Sequence, residues 1–399
     1  MLEAHPAISD PCTPYTLFDD GPAYRVEEKL GLLRGGQRRT GRRVLFALLV
    51  AWLPMLLLAA VQGLAIGPTR LESFLMDFII NVRFLITVPV LLVGEAICEG
   101  QLRTVVGQFT DARLVKDEAR RQFDEIVQRT VRVSRSGRTD SLLVGLAYLH
   151  GLTAIIVQLY GLHYPTWRAP SIDGHITVSL AGYWYILVAF PLYAFLLWRW
   201  LFRIGLWWWF LRQVSRLDLQ ITPTHRDGAG GLGFLSDSFQ AFVPFVFAEG
   251  AIVAGTMADF VMYEGDTPLQ YQWHVIGFVA IMLILVVGPL LTFMRPLYKA
   301  KEEAMLQYGA LSSRLIHIVE GKWVRATPMR EDLESSMPDF RAVTHLGQSV
   351  TAVRNMSILP LQKDDVLKLI VMALLPLLPV AVTQIPMGEV FSLLVKLVL

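Results

Sequence analysis

Charge is scarce in this chain. Asp, Glu, Lys and Arg make up only 18% of its 399 residues, where globular chains carry about a quarter. Cysteine is almost missing. The two that occur, Cys12 and Cys98, fall on one expected side of a membrane and build no disulfide framework, which fits free thiols in a reducing compartment. The first forty or so residues lack the apolar core of a cleavable signal, so the first apolar run is expected to act as an uncleaved anchor. The formal net charge of +2 gives no reason to expect a nucleic-acid partner. Catalytic signatures are absent too: there is no nucleophile elbow, no HExxH and no P-loop. Histidines 163, 175, 225, 274, 317 and 345 fall on both expected sides of a membrane, so they cannot form one site. Neither a catalytic residue, nor a metal site, nor a cofactor is assigned.

What is abundant is apolar surface, at 54% of residues. It comes in runs of about twenty residues, the length that crosses a hydrocarbon core of about 30 Å. The expected fold class is therefore all-α, a polytopic membrane protein with about seven transmembrane helices. The expected spans are 44–66, 74–98, 141–162, 176 to beyond 203, 239–262, 273–293 and 366–385. Arg38, Arg39, Arg42 and Arg43 precede the first run, and nearly all other Lys and Arg fall on the same alternate side. The positive-inside rule then puts the N-terminus inside and the C-terminus outside. Residues 390–399 are too short to span and leave the last turn of the topology open.

The chain divides into a cytoplasmic tail (1–43), a six-helix membrane region (44–298) with a helical loop at 99–140, a cytoplasmic helical segment (299–365), and a last span with its apolar end (366–399). Residues 24–33 are expected to form a short amphipathic helix stopped by Gly35–Gly36. In 101–140, Val105, Val106 and Phe109, then Phe123, Ile126, Val127 and Val131, recur at helical spacing. That pattern suits two amphipathic helices docked on other loops or on the membrane surface.

Three groups of residues stand out. The first is ionisable or polar and lies inside apolar runs: Arg83, Glu249 and His150, with Asn81 and Asp77 four apart on one helix face. A lone charge at mid-span costs roughly 2.5–3.5 kcal/mol on insertion scales, so Arg83 and Glu249 are expected to meet. Such a pair either staples helices together or lines a solvated path. The second is the belt at the end of span four, where Arg199 and Arg203 interleave with Trp207, Trp208 and Trp209. Tryptophan favours the interface and arginine reaches headgroups, so these are expected lipid contacts. The third is the turn-rich loop His225–Arg226–Asp227 followed by Gly228, Gly230, Gly231 and Gly233. Its G-x-G-x-x-G has no preceding strand and no βαβ unit, so it is not read as a dinucleotide site. Its glycines permit tight turns, and its backbone amides could cradle an anion. His225 and Asp227 alone are too few for a metal.

The strings THRDGAGGLGFL, PLYKAKEEAMLQYG and LLPLLPVAVTQIPMGEV resemble a family of uncharacterised bacterial multipass membrane proteins along most of the chain from the first span onward. The match is most specific at residues 225–235, with Arg226 where the family pattern suggests Pro. The resemblance implies a bacterial inner-membrane protein and transfers no chemistry. The resulting expectation is a channel or transport pathway with a mid-membrane Arg/Glu/His cluster. Its partners would be the lipid bilayer, a second copy of the chain and a cytoplasmic protein. The alternative is a membrane sensor or scaffold that recruits that protein through its cytoplasmic helices.

Overall fold

The computed structural model describes residues 33–34, 37–38, 40–161, 165–172, 175–263, 265–321 and 333–382. Side chains at 33–38, 154–161, 172, 175 and 333–340 are outside that description. The helices are α1 (Thr40–Val61), α2 (Phe78–Asp111), α3 (Arg120–Ser134), α4 (Gly137–Gly161), α5 (Leu180–Val214), α6 (Gly233–Tyr263), α7 (Pro268–Val319), α8 (Leu333–Asn355) and α9 (Lys363–Val382). Extended structure among the described residues is limited to two-residue antiparallel pairings, Leu33–Arg34 with Gln37–Arg38 and Ser171–Ile172 with His175–Ile176. The remainder of the expected helix at 24–33, and the apolar end at 390–399, lie outside the described residues.

By length and composition, 6 helices can cross a membrane: α1, α2, α5, α6, α7 and α9. The chain is an all-helical, multi-pass membrane protein. The expected third span falls on α4. Two helices run on past the expected span ends: α2 continues beyond Cys98 to Asp111, and α7 beyond Phe293 to Val319. Hydropathy ends where the lipid ends, but a helix ends only where its backbone bonds are broken or capped.

The helix α6 is central. Its apolar window is 56% buried, against 22% for α1 and for α7. It packs along α2 and also meets α7 and α9. The α2–α6 contact is close enough to demand glycine. A Cβ on Gly94 would lie 2.5 Å from Pro244 Cβ and 3.0 Å from Trp200 Cζ2. Gly94→Ala is therefore expected to cost about 1–3 kcal/mol through overpacking, read as a lower unfolding midpoint in detergent. Gly205→Ala, on α5 with nothing within 4 Å of its Cβ, should leave the midpoint unchanged or slightly raised.

At one end the amphipathic faces from 101–134 turn inward. Phe109 meets Phe123 (5.8 Å), Phe210 (6.5 Å), Phe234 (5.1 Å) and Phe293 (6.3 Å), joining α2, α3, α5, α6 and α7. Val105, Val106 and Val127 are buried with them. The periodicity at 101–131 thus serves protein packing.

Three spans carry a proline just after a wide π turn. Leu48–Trp52 precedes Pro54, Arg83–Thr87 precedes Pro89, and Tyr185–Ala189 precedes Pro191. Proline has no N–H to give the carbonyl four residues back, so the turn widens there. Two of the released carbonyls find other donors. Trp184 Nε1 donates to Val50 O at 2.9 Å, and the Tyr148 hydroxyl donates to Leu187 O at 3.4 Å. In a bilayer no water is at hand to fill such a vacancy, so aromatic side chains from neighbouring helices fill it. The three π segments lie against one another, and the site is built on them.

Candidate functional site

Arg83 and Tyr185 are the first residues of two of these π turns. The wide turns face their side chains toward each other, and Arg83 Nη1 donates to the Tyr185 hydroxyl at 2.8 Å. The Arg83 guanidinium also lies 5.0 Å from the Tyr193 ring centre and 5.5 Å from that of Phe190. Tyr193 in turn directs its hydroxyl at Glu249 Oε2, 3.5 Å away. Glu249 comes from the middle of α6, next to Ala248, whose carbonyl accepts from Thr87 Oγ1 at 3.1 Å. His150 on α4 sits edge-on to Phe190 at 5.3 Å. Four helices thus contribute to one aromatic-lined polar cluster.

The expected direct Arg83–Glu249 ion pair is not formed. Among the described residues no ion pair joins them, because Tyr193 stands between and screens the guanidinium with its ring face. The rest of the expected polar group also divides. Asp77 is not on a helix face with Asn81. It caps the N-terminus of α2, accepting from Ile80 N at 2.9 Å and from Trp167 Nε1 at 2.9 Å, with Arg168 at 3.8 Å. Asn81 accepts from Trp52 Nε1 at 2.9 Å and donates to Asp77 O at 2.9 Å. Both finish the end of the bundle and tie it to Trp52 and Trp167.

In the Arg83 cluster, by contrast, hydrogen bonding is incomplete. Arg83 Nε, Glu249 Oε1 and His150 Nδ1 are buried and have no hydrogen-bond partner among the described residues. Native interiors leave few polar atoms in that condition, and each one needs a reason.

A second charged centre was not singled out from the sequence. Glu95 lies twelve residues beyond Arg83 on α2, about 18 Å along the helix at 1.5 Å per residue. It is fully buried, and three arginines converge on it. Arg43 Nη2 is 2.7 Å from Oε2, and Arg203 Nη1 and Arg199 Nε are 3.2 and 3.3 Å from Oε1. Arg199 and Arg203, four apart on α5, share a face, and Arg43 enters from the first turn of α1. The signal available beforehand was Glu95 itself, an acid inside an apolar run, with basic residues at the matching ends of two other runs.

This arrangement corrects the expected lipid belt. Arg203 is 3% exposed and Trp207 is fully buried, stacked on Phe210 at 5.4 Å. A buried carboxylate in register takes charge-assisted hydrogen bonds from a guanidinium, so Arg203 turns inward instead of reaching a headgroup. Trp209 packs at the edge of the core, and Trp208 keeps 37% exposure.

The glycine loop has a structural explanation. Asp227 Oδ1 accepts from Ala229 N (2.9 Å) and Gly231 N (3.1 Å), and Oδ2 accepts from Gly233 N (2.8 Å). His225 Nδ1 is 2.9 Å from Oδ1. Gly228, Gly230 and Gly231 have φ of 63, 68 and 93°, which side chains bearing a Cβ rarely adopt. The backbone amides that could have cradled an external anion are thus occupied by the chain's own carboxylate. Ser357 N donates to Gly228 O at 2.7 Å, tying the loop to the end of α8, while Arg226 stays exposed. Burial alone would raise the Asp227 carboxyl. The N–H groups of Ala229, Gly233 and Gly231, with His225, outweigh it and hold the group below its ordinary value. A depressed folded value stabilises the loop above the ordinary carboxylate value near 3.8 and loses that contribution as pH falls through the lower folded value. Hydrogen exchange at amides 229, 231 and 233 should therefore speed up below that value. In Asp227→Asn they should exchange faster at neutral pH and lose this acid limb.

The fold and site define an integral, all-helical membrane protein with an aromatic-lined Arg/Tyr/Glu cluster and a separate buried Arg–Glu centre. No known protein family, curated protein or solved structure matches the chain.

Proposed function

We propose that this chain is a bacterial inner-membrane protein that moves a small ion or proton past the Arg83–Tyr193–Glu249 cluster. One observation carries the reading. Three ionisable side chains from three helices each leave a buried polar atom in the same cluster without a partner among the described residues, at the π turns where spans α2 and α5 are already widened. A purely structural staple would pair its charges directly, since each unmet polar atom costs about 1–3 kcal/mol. A transient polar occupant would satisfy these atoms in passing. The topology in this reading has seven spans, α4 being the third, with the N-terminus and the ends of α2, α3, α7 and α8 inside. A second copy of the chain and a cytoplasmic protein are the proposed partners.

The alternative is a scaffold. Its support is the exposed apolar set on the far part of α7, Leu306 (72%), Leu311 (53%) and Ile318 (65%), which a soluble partner would cover.

Purified protein in liposomes, loaded with a pH-sensitive or ion-sensitive dye, separates the two. Flux through wild type that falls at least about tenfold in Glu249→Gln and in Arg83→Leu supports the transport reading; a tenfold change is about 1.4 kcal/mol on the barrier. Unchanged flux in both variants rejects the role given to the cluster. No flux through correctly folded wild type rejects transport and favours the scaffold.

A further inference from the structure

The Glu95 centre is not used by the proposed transport path. Arg43, Arg199 and Arg203 all reach its carboxylate. The three arginines are not equally committed. Arg43 and Arg203 have side chains 2% and 3% exposed, while Arg199 is 13% exposed. Among the described residues Arg199 reaches Glu95 through Nε alone, and its guanidinium lies 6.0 Å from the Phe195 ring centre. Neither Nη group of Arg199 has an acceptor among those residues, so both are open to one from outside. A guanidinium presents its N–H groups as a fork that fits two oxygens of one phosphate.

Position narrows the source of that phosphate. Arg43 lies in the first turn of α1, three residues from Thr40, so the centre sits at the end of the apolar belt, at headgroup depth. Leu45 and Phe46, just beyond Arg43, are 56% and 37% exposed, so apolar surface suited to acyl chains begins immediately beside the charges. Charge and apolar surface together match an amphiphile better than a soluble anion.

We infer that the open side of the Arg43–Glu95–Arg199–Arg203 centre binds the headgroup phosphate of an anionic phospholipid, with Arg199 as the residue that grips it. Glu95 holds Arg199 by Nε and so fixes the plane of its fork. The carboxylate is the positioning residue.

The test uses the full chain in detergent, with retained lipid read by native mass spectrometry and stability by the thermal midpoint. The probes are phosphatidylglycerol, phosphatidylcholine and inorganic phosphate. Phosphatidylglycerol should be retained and should raise the midpoint, while phosphatidylcholine and inorganic phosphate at matched concentration do neither. Arg199→Gln should weaken retention about tenfold, the loss of about 1.4 kcal/mol. Arg199→Lys, which keeps the charge without the fork, should fall between. Arg42→Gln, an exposed arginine at the same end of α1, should retain lipid as wild type does. Equal retention of the two lipids overturns the inference. So does an equal loss in Arg42→Gln, which would mean diffuse attraction to basic surface. A midpoint raised by inorganic phosphate as much as by lipid would reassign the site to a soluble anion. Should Arg199→Gln fail to fold, Arg199→Lys decides: retention unchanged from wild type overturns the role of the fork.

Discussion

Glu95→Leu is expected to leave little folded protein. The substitution keeps the volume roughly constant and removes the one carboxylate on which Arg43, Arg199 and Arg203 converge. Taking an ion out of water costs several kcal/mol, and breaking a buried pair by deleting one partner costs about 3–5 kcal/mol. Here a single deletion removes the buried carboxylate that guanidiniums from two other helices reach, so that range applies. Against a typical total of about 5–15 kcal/mol, the loss should appear as a collapsed yield or a much lower melting midpoint in detergent. The companion variant makes the prediction specific. Replacing the three arginines by Met together with Glu95→Leu removes every charge at once. Buried ionic clusters replaced whole by apolar side chains often lose nothing. The quadruple variant should therefore be more stable than Glu95→Leu alone while losing anionic-lipid retention. Glu95→Leu melting at the wild-type midpoint would mean that the centre is solvated and contributes little.

That centre also shows where reading the sequence stops. The spans were legible because a twenty-residue apolar run has one cheap environment, and six of them are helices that can cross a membrane. Glu95, Arg83 and Glu249 were each visible as charges where charge is expensive. Their partners were not visible, because helical periodicity says which residues share a face and leaves open which helix that face meets. Arg43 is 52 residues from Glu95, and Arg199 and Arg203 are further still. Counting basic residues at span ends gave a sidedness but treated each one as a headgroup ligand, so Arg203 and Trp207 were placed at the surface when they are core. The π turns had a signal, Pro54, Pro89 and Pro191. Proline announces that a bond is missing, but whether the helix kinks, breaks or widens depends on donors such as Trp184, supplied from elsewhere in the fold. In the loop, Asp227 followed by alternating glycines was legible as a turn. That the carboxylate would fill its own amide cradle was a matter of three-dimensional closure.

Glu249→Gln is expected to separate stability from activity, and the direction of each change decides what the Arg83 cluster is for. Glutamine has nearly the shape of glutamate, so packing against Tyr193 survives. Its carbonyl oxygen can accept from the Tyr193 hydroxyl as Oε2 does at 3.5 Å. What disappears is a buried negative charge, whose second oxygen has no hydrogen-bond partner among the described residues. A neutral amide costs less to bury than an ion, so the variant should melt at or above the wild-type temperature while ion or proton flux falls at least about tenfold. A staple predicts the reverse pattern. If Glu249 were held to Arg83 for strength, neutralising it would strand the guanidinium and lower the midpoint, with no flux to lose. Tyr193→Phe sharpens the contrast. It keeps the ring that Arg83 faces at 5.0 Å and removes the hydroxyl that reaches Glu249, so it should cut flux and leave the midpoint close to wild type. A functional cluster keeps polar atoms unmet because a passing ion or proton must meet them. Natural proteins accept such local instability where activity requires it, and the helices widened at Arg83 and Tyr185 are where this fold can accommodate it.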